Sequence, residues 1–299
     1  MNLKKLAVRK TFFQPIIYML PTALILGSAI QDSGLLKAQT TAPVSSRQST
    51  PPARKPASSK INKSQPIFRW TKPPAGLSTI PGRPIGMGSR DFCPAVENPL
   101  RALVPFQERD LTSQLSKASM STTPMDVWGL TTNKYPTFWF YVPYTTEIPG
   151  ASAEFVLQDS EENEVYQSTV SLRAKPGIIS VTLPSTALPL EINKNYRWFF
   201  KVSCSGQKSI PIHVEGDIQR VQLNVSLEKQ LATAQQRDKV SIYTDNGIWF
   251  DALTLLAQLR QASPNNASLI SDWQSLLGSV KLDKNSVNAP FIEDELSNL

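Results

Sequence analysis

The chain has a single histidine, His213. It stands in "IPIHVEGD", Ile210 to Asp217. If this run is a strand, Ile210, Ile212 and Val214 share one face, and His213, Glu215 and Asp217 share the other. Histidine beside a carboxylate can move protons. No nucleophile stands near it in sequence, so the expectation is a solvated face with His213 in water. One histidine excludes a multi-histidine metal site, and Cys93 and Cys204 have no neighbouring histidines to complete a tetrahedral one. Neither a Gly-x-Ser-x-Gly elbow nor a His-Glu-x-x-His helix occurs. Gly82, Gly86 and Gly88 in "PGRPIGMGSR" lack the Gly-Lys-Ser/Thr ending of a phosphate loop and read as irregular backbone. Paired carboxylates of the glycosidase kind do not show in spacing, so a glycan hydrolase stays open as an alternative. No catalytic, cofactor-binding or metal-binding residue is expected, and the leading expectation is a protein without enzymatic activity.

The other chemistry on offer is aromatic. "TTNKYPTFWFYVPY", Thr131 to Tyr144, holds four successive rings from Phe138 to Tyr141. Alternation separates Phe138, Phe140 and Val142 from Trp139 and Tyr141. The first set suits a core. The second is either covered by another segment or is a stacking platform of the kind sugar-binding modules use. Trp139 and Tyr141, with Trp249 and Trp273 further on, are the candidate face for a ligand or partner.

These residues need elements to position them. From about Leu100 to Leu223, short apolar runs alternate with turn signals: "LRALVPF", "TFWFYVPY", "AEFVLQD", "EVYQSTVSL", "GIISVTLP", "YRWFFKVSC" and "IPIHVEGDIQRVQL". Such spacing, with no helical period between, predicts an antiparallel β-sandwich. "LPLEINKNYRWFFKV" resembles the corner of fibronectin type III and immunoglobulin-like domains, with Tyr196 as the corner tyrosine. From Val225 the period lengthens. Ser226 is the expected N-cap of a first helix, Asn246-Gly247 a stop signal. Two apolar stripes follow, Trp249/Ala252/Leu253/Leu256/Leu259 and Leu269/Trp273/Leu276/Leu277/Val280. Gly247 to Asn266 resembles half of a tetratricopeptide repeat, so a short helical unit is expected, either packed on the sandwich or docking a partner.

Charge divides the chain. Its net charge of +7 combines residues 1–90, with 14 Lys and Arg against the single acid Asp32, and residues 91–299, with 17 against 23. The basicity lies ahead of the folded body, which disfavours nucleic-acid binding. "MNLKKLAVRK" followed by the uncharged run Ile16 to Ile30 and the small residues Gly27-Ser28-Ala29 has the order of a secretory signal, with cleavage after Ala29 or Ala38. The alternative is an uncleaved inner-membrane anchor, for which the run is short and carries Pro21. The expected organisation is a signal peptide (1–30), a disordered basic Ser/Thr/Pro-rich linker (31–75), an irregular start to the body (76–124), a sandwich (125–223), the helical unit (224–282) and a tail (283–299). No transmembrane segment is expected in the mature body. In an exported chain the two cysteines suggest a Cys93–Cys204 disulfide. Closing a loop of that size contributes on the order of 4–5 kcal/mol in the chain-entropy model.

The blocks "GLTTNKYPTFWFYVPY", "AEFVLQDSEENEVYQ", "PGIISVTLP", "YRWFFKVSC", "VEGDIQRV" and "NGIWFDALTLLAQLR", in this order, resemble the cyanobacterial family called domain of unknown function 928 (DUF928). The resemblance covers roughly Gly76 to Leu282. It implies an exported cyanobacterial protein, and it carries over no catalytic residue because the family has no established activity. The expected function is that of a secreted or periplasmic binding protein whose partner is an envelope protein or glycan. The alternatives are a carbohydrate-binding module on the Trp139/Tyr141 face and the glycan hydrolase.

Overall fold

The computed structural model describes residues 66–68, 80–86, 93–109, 124–204 and 210–292. The signal segment, its two cleavage points, most of the linker, most of the insertion Asp110 to Asp126, and the end of the tail lie outside these residues. Among the described residues no helix is long and apolar enough to cross a membrane.

Among the described residues, nine strands make two sheets. They are β1 (Arg101–Ala102), β2 (Phe106–Glu108), β3 (Met125–Thr131), β4 (Thr137–Val142), β5 (Ser152–Gln158), β6 (Glu164–Val170), β7 (Gly177–Thr182), β8 (Asn195–Ser203) and β9 (Ile212–Arg220). One sheet runs β1-β4-β7 and the other β2-β3-β9-β8-β5-β6. Phe138 and Phe140 of β4 meet Phe155 of β5 and Trp198 of β8, and Phe140 stacks on Phe200 at 4.4 Å. The two sheets therefore pack face to face on the rings that alternation had assigned to the core.

The expectation of purely antiparallel pairing is corrected. β3 runs parallel to β9, from Trp128 opposite Asp217 to Thr131 opposite Arg220. β3 was not among the expected strands, since Gly129 interrupts its apolar run. That glycine lets α3 approach closely: a Cβ there would lie 3.0 Å from the Phe250 ring and 3.1 Å from Trp249 Cβ. "LRALVPF" is not one strand either. Its first half pairs with β4 and its second with β3, so the chain crosses between sheets at Leu103 to Pro105.

Local chemistry accounts for the turns. β5 and β6 form a hairpin closed by the Asp159 N–H to Asn163 carbonyl bond, 2.9 Å. Asp159 accepts from the Glu161 and Asn163 amides, and Glu162 takes φ 65°. Ahead of β8, the Tyr196 hydroxyl accepts from the Glu191 N–H at 3.1 Å, which ties the entry of the strand to its turn. Cys204, ending β8, is bonded to Cys93.

Among the described residues, five helices follow: α1 (Val225–Thr233), α2 (Gln236–Asp245), α3 (Trp249–Ala262), α4 (Ala267–Ser279) and α5 (Lys284–Asn288). The N-cap of α1 is Asn224, whose side chain accepts from the Leu227 N–H, not Ser226, which lies inside the helix. Asn caps as well as Ser does, and here it sits where the chain leaves β9. Gly247, at φ 72°, follows α2 as the stop signal required. Most of the helical core is continuous with the sandwich core: Trp249, Leu253, Leu256, Trp273 and Leu277 join Phe138 and Phe140 in one buried cluster. Inside the expected linker, Phe68 is buried, edge-on to Trp249 at 5.0 Å, and its N–H donates to Ser279 Oγ.

Candidate functional site

The four aromatic residues named as a candidate binding face are all buried. Trp139 and Tyr141 are 6% and 7% exposed, Trp249 and Trp273 0%. The polar atoms of the indoles are used internally. Trp139 Nε1–H donates to Thr254 Oγ1 of α3, Trp249 Nε1–H to the Leu103 carbonyl, and Trp273 Nε1–H to the Val287 carbonyl. Phe291 packs edge-on to both Trp139 and Trp273, and the Arg260 guanidinium lies over Phe291 and Trp273. The outer face of β4 is thus a second core layer, roofed by helices and by the segment after α5. That segment is held as an extra edge to the small sheet: Ile178 N–H donates to the Pro290 carbonyl and Ile292 N–H to the Ile178 carbonyl. In this structure the Trp139/Tyr141 pair offers no platform to a sugar.

The expectation of a solvated His213/Glu215/Asp217 face is corrected for Asp217, which is buried, while His213 stays part-exposed. On the outer face of the six-stranded sheet, β8 sets Arg197 and Phe199 beside Asp217 and Glu215 of β9. Asp217 is 4% exposed, and Arg197 is buried. Arg197 donates Nε–H and Nη2–H to Glu215 Oε2, at 3.3 and 2.9 Å, and reaches the carbonyls of Ile80 and Pro81. Its Nη1 lies 3.5 Å from Asp217 Oδ2. The reason for the burial is not local. Residues 82 and 83 pair between β3 and β9, with Gly82 N–H on the Met125 carbonyl and Arg83 and Glu215 exchanging both backbone bonds, which brings the Ile80 and Pro81 carbonyls to Arg197. Gly82 permits this approach, because a Cβ there would lie 2.6 Å from Val127.

Two carboxyls on one face are thereby driven apart electrostatically. Asp217 is pushed up to about 7, burial outweighing the attraction of Arg197. Burial also works to raise Glu215, but hydrogen bonds from His213 and Arg197 together overcome it and hold that carboxyl below its ordinary value. His213 Nε2 is 3.7 Å from Glu215 Oε1. Beside them opens a recess of about 480 Å³, floored by Phe199 and Tyr196 and walled by Asp217, Glu215, and Asp159 and Glu162 of the β5–β6 turn. Four carboxyls line it with one guanidinium, which already donates to three oxygens, Glu215 Oε2 and the carbonyls of Ile80 and Pro81. Sequence reasoning placed Glu215 and Asp217 on one face but missed Arg197; the alternation of "YRWFFKV" against "HVEGD" across a shared pair of strands was the available signal.

A smaller cavity of about 250 Å³ lies between β4, α2 and α3, with Lys239, Tyr243 and Asp251 in its wall. Asp251, in the first turn of α3, accepts from the Thr131 hydroxyl and from the Thr132 amide and hydroxyl. Burial raises its carboxyl above the usual range. Its oxygens are occupied in pinning α3 to the end of β3, which makes it a structural acid. Among the described residues no group of three or more His, Cys, Asp or Glu is arranged to hold a metal ion.

No curated protein is significantly similar to the chain. The family model described as Domain of Unknown Function (DUF928) matches residues 85–291, from the segment that crosses to β1 through every strand and helix to Phe291. With more than two thirds of its length matched, and the matched part coinciding with the double core just described, the chain belongs to that family.

Proposed function

We propose that this is an exported, non-enzymatic binding protein of the cell envelope, and that its recess on the outer face of the six-stranded sheet receives a cationic group of its partner. One observation carries the reading. Asp159, Glu162, Glu215 and Asp217 line a cavity whose single cation, Arg197, is already engaged with Glu215 and two backbone carbonyls. A lysine or arginine side chain entering there gains charge-assisted bonds, and Phe199 offers a ring face to its alkyl stem. The disulfide supports export, because such bonds persist in oxidising compartments. The corner hydrogen bond of Tyr196 and the order β3-β9-β8-β5-β6 opposite β1-β4-β7 support an immunoglobulin-like reading of the sandwich, an architecture that commonly serves recognition.

The test is calorimetric titration of the oxidised protein with a lysine oligopeptide. Saturable binding is expected, weakened about threefold by Glu162→Gln, which removes one exposed charge from the rim. Glu228→Gln, a charge removed on α1, is expected to leave it unchanged. Equal effects of the two variants would overturn the reading.

A second reading, glycan hydrolysis, has one observation in its favour. Glu215 and Asp217 are neighbouring carboxyls of opposite electrostatic bias, the pattern that separates an acid from a base. Turnover of a glycan by the purified protein, abolished in Glu215→Gln, would replace the binding reading with this one.

A further inference from the structure

Two sheets have four edges, and three of them are blunted. β1 is covered by Pro84 to Gly86, with Ala102 N–H on the Pro84 carbonyl and Gly86 N–H on the Leu100 carbonyl. β7 is covered by Pro290 to Ile292. β2 has only three residues and ends on the exposed Glu108. β6 is different. It has seven residues, pairs only with β5, and makes no backbone hydrogen bond on its other side among the described residues. From Val165 to Val170 it holds no charge, no proline and no glycine. Those are devices by which proteins keep an edge from pairing; the one present, a bulge at Val165, lies at the start of the strand, and the regular stretch from Tyr166 to Val170 is a template for another strand.

We propose that β6 is a self-association edge, pairing antiparallel with β6 of a second copy about a two-fold axis at Gln167. Three features favour a second copy over a foreign peptide. The register is self-complementary: Tyr166 falls opposite Ser168 with Gln167 on the axis, and the one acid of the strand, Glu164, lies beyond the bulge at Val165, so no like charges meet. The outer-face residues Val165, Gln167 and Thr169 present no pocket for the alternating side chains by which an edge selects a peptide, and the recess is lined by the turn before β6 and by no residue of the strand. The two-fold axis would also keep the core faces of both large sheets on one side, so that one continuous sheet spans the pair. This reading does not depend on what the recess binds. It adds that two recesses would open on the same face of the dimer, each beside the joining hairpin.

A single strand pair is a small interface, so the dimer is expected to be weak, with Kd about 10 µM. Sedimentation of the oxidised protein from about 1 to 200 µM should show a monomer–dimer equilibrium. Gln167 is exposed and faces itself across the axis. Gln167→Lys and Gln167→Glu, each alone, should weaken association about tenfold, and an equimolar mixture of the two should restore it. A monomer throughout the range would overturn the proposal, as would a dimer that both variants leave unchanged or a mixture no tighter than its components. Circular dichroism matching the parent shows that each variant is folded.

Discussion

Replacing Asp217 by Asn should stabilise the protein above neutral pH. The carboxyl is 4% exposed, receives no hydrogen bond among the described residues, and faces Arg197 only at 3.5 Å. Its pKa of about 7 in the folded state, against the ordinary 3.8, means that between these values the folded protein holds a proton that the unfolded chain releases. Stability therefore declines as pH rises through that window and levels off above it. About three units at 1.36 kcal/mol each put the full loss at about 4 kcal/mol. The amide cannot ionise, so Asp217→Asn should match the parent near pH 4 and exceed it by about 2–4 kcal/mol at pH 8. Urea unfolding followed by tryptophan fluorescence, with the disulfide intact and at pH steps from 4 to 8, measures the difference. Every other titrating group outside this cluster contributes equally to both proteins and cancels. A variant less stable than the parent at pH 8 would refute the reasoning, because ionised Asp217 would then gain more from Arg197 than it loses to burial.

Glu215→Gln should have the opposite sign. It should cost stability at neutral pH, and that cost should fade as acid protonates the parent, because the folded carboxyl is held below its ordinary value. Arg197→Ala should be worse than either, costing about 3–5 kcal/mol in a denaturation midpoint series, since it strands the buried Asp217 and the half-buried Glu215 and removes the hydrogen bonds to the Ile80 and Pro81 carbonyls. Trp139→Ala should destabilise by about 3–5 kcal/mol, the range for a large core ring, whereas a ligand-stacking tryptophan would leave the unfolding midpoint almost unchanged. N-terminal sequencing of protein recovered from the periplasm should begin after Ala29 or Ala38; a chain retaining Met1 in the cytosol would remove the exported reading.

Much of the architecture was legible because β-strands and helices write their faces into sequence at fixed periods. Alternation through "TFWFYV" parted Phe138 and Phe140 from Trp139 and Tyr141 correctly, and the first pair is the layer between the sheets. The lengthened period after Val225 and the stop at Gly247 marked out helices, and the two cysteines form the disulfide. Period says which residues share a side. It does not say what lies against that side. Whether Trp139 was roof or platform depended on Thr254, more than a hundred residues away, and on Phe291. Whether Asp217 met water depended on residues 80–83, which pair alongside β9 and meet Arg197, a contact between segments far apart in sequence. The parallel pairing of β3 with β9 was hidden for the same reason: strand direction is set by the path of the connecting chain, which leaves no mark on either strand. Sequence by itself determined the elements and their faces, since these follow from neighbours within one turn or one pleat. Tertiary structure alone decided which faces were buried and which charges were left without water, since burial is a property of what the rest of the chain brings into contact.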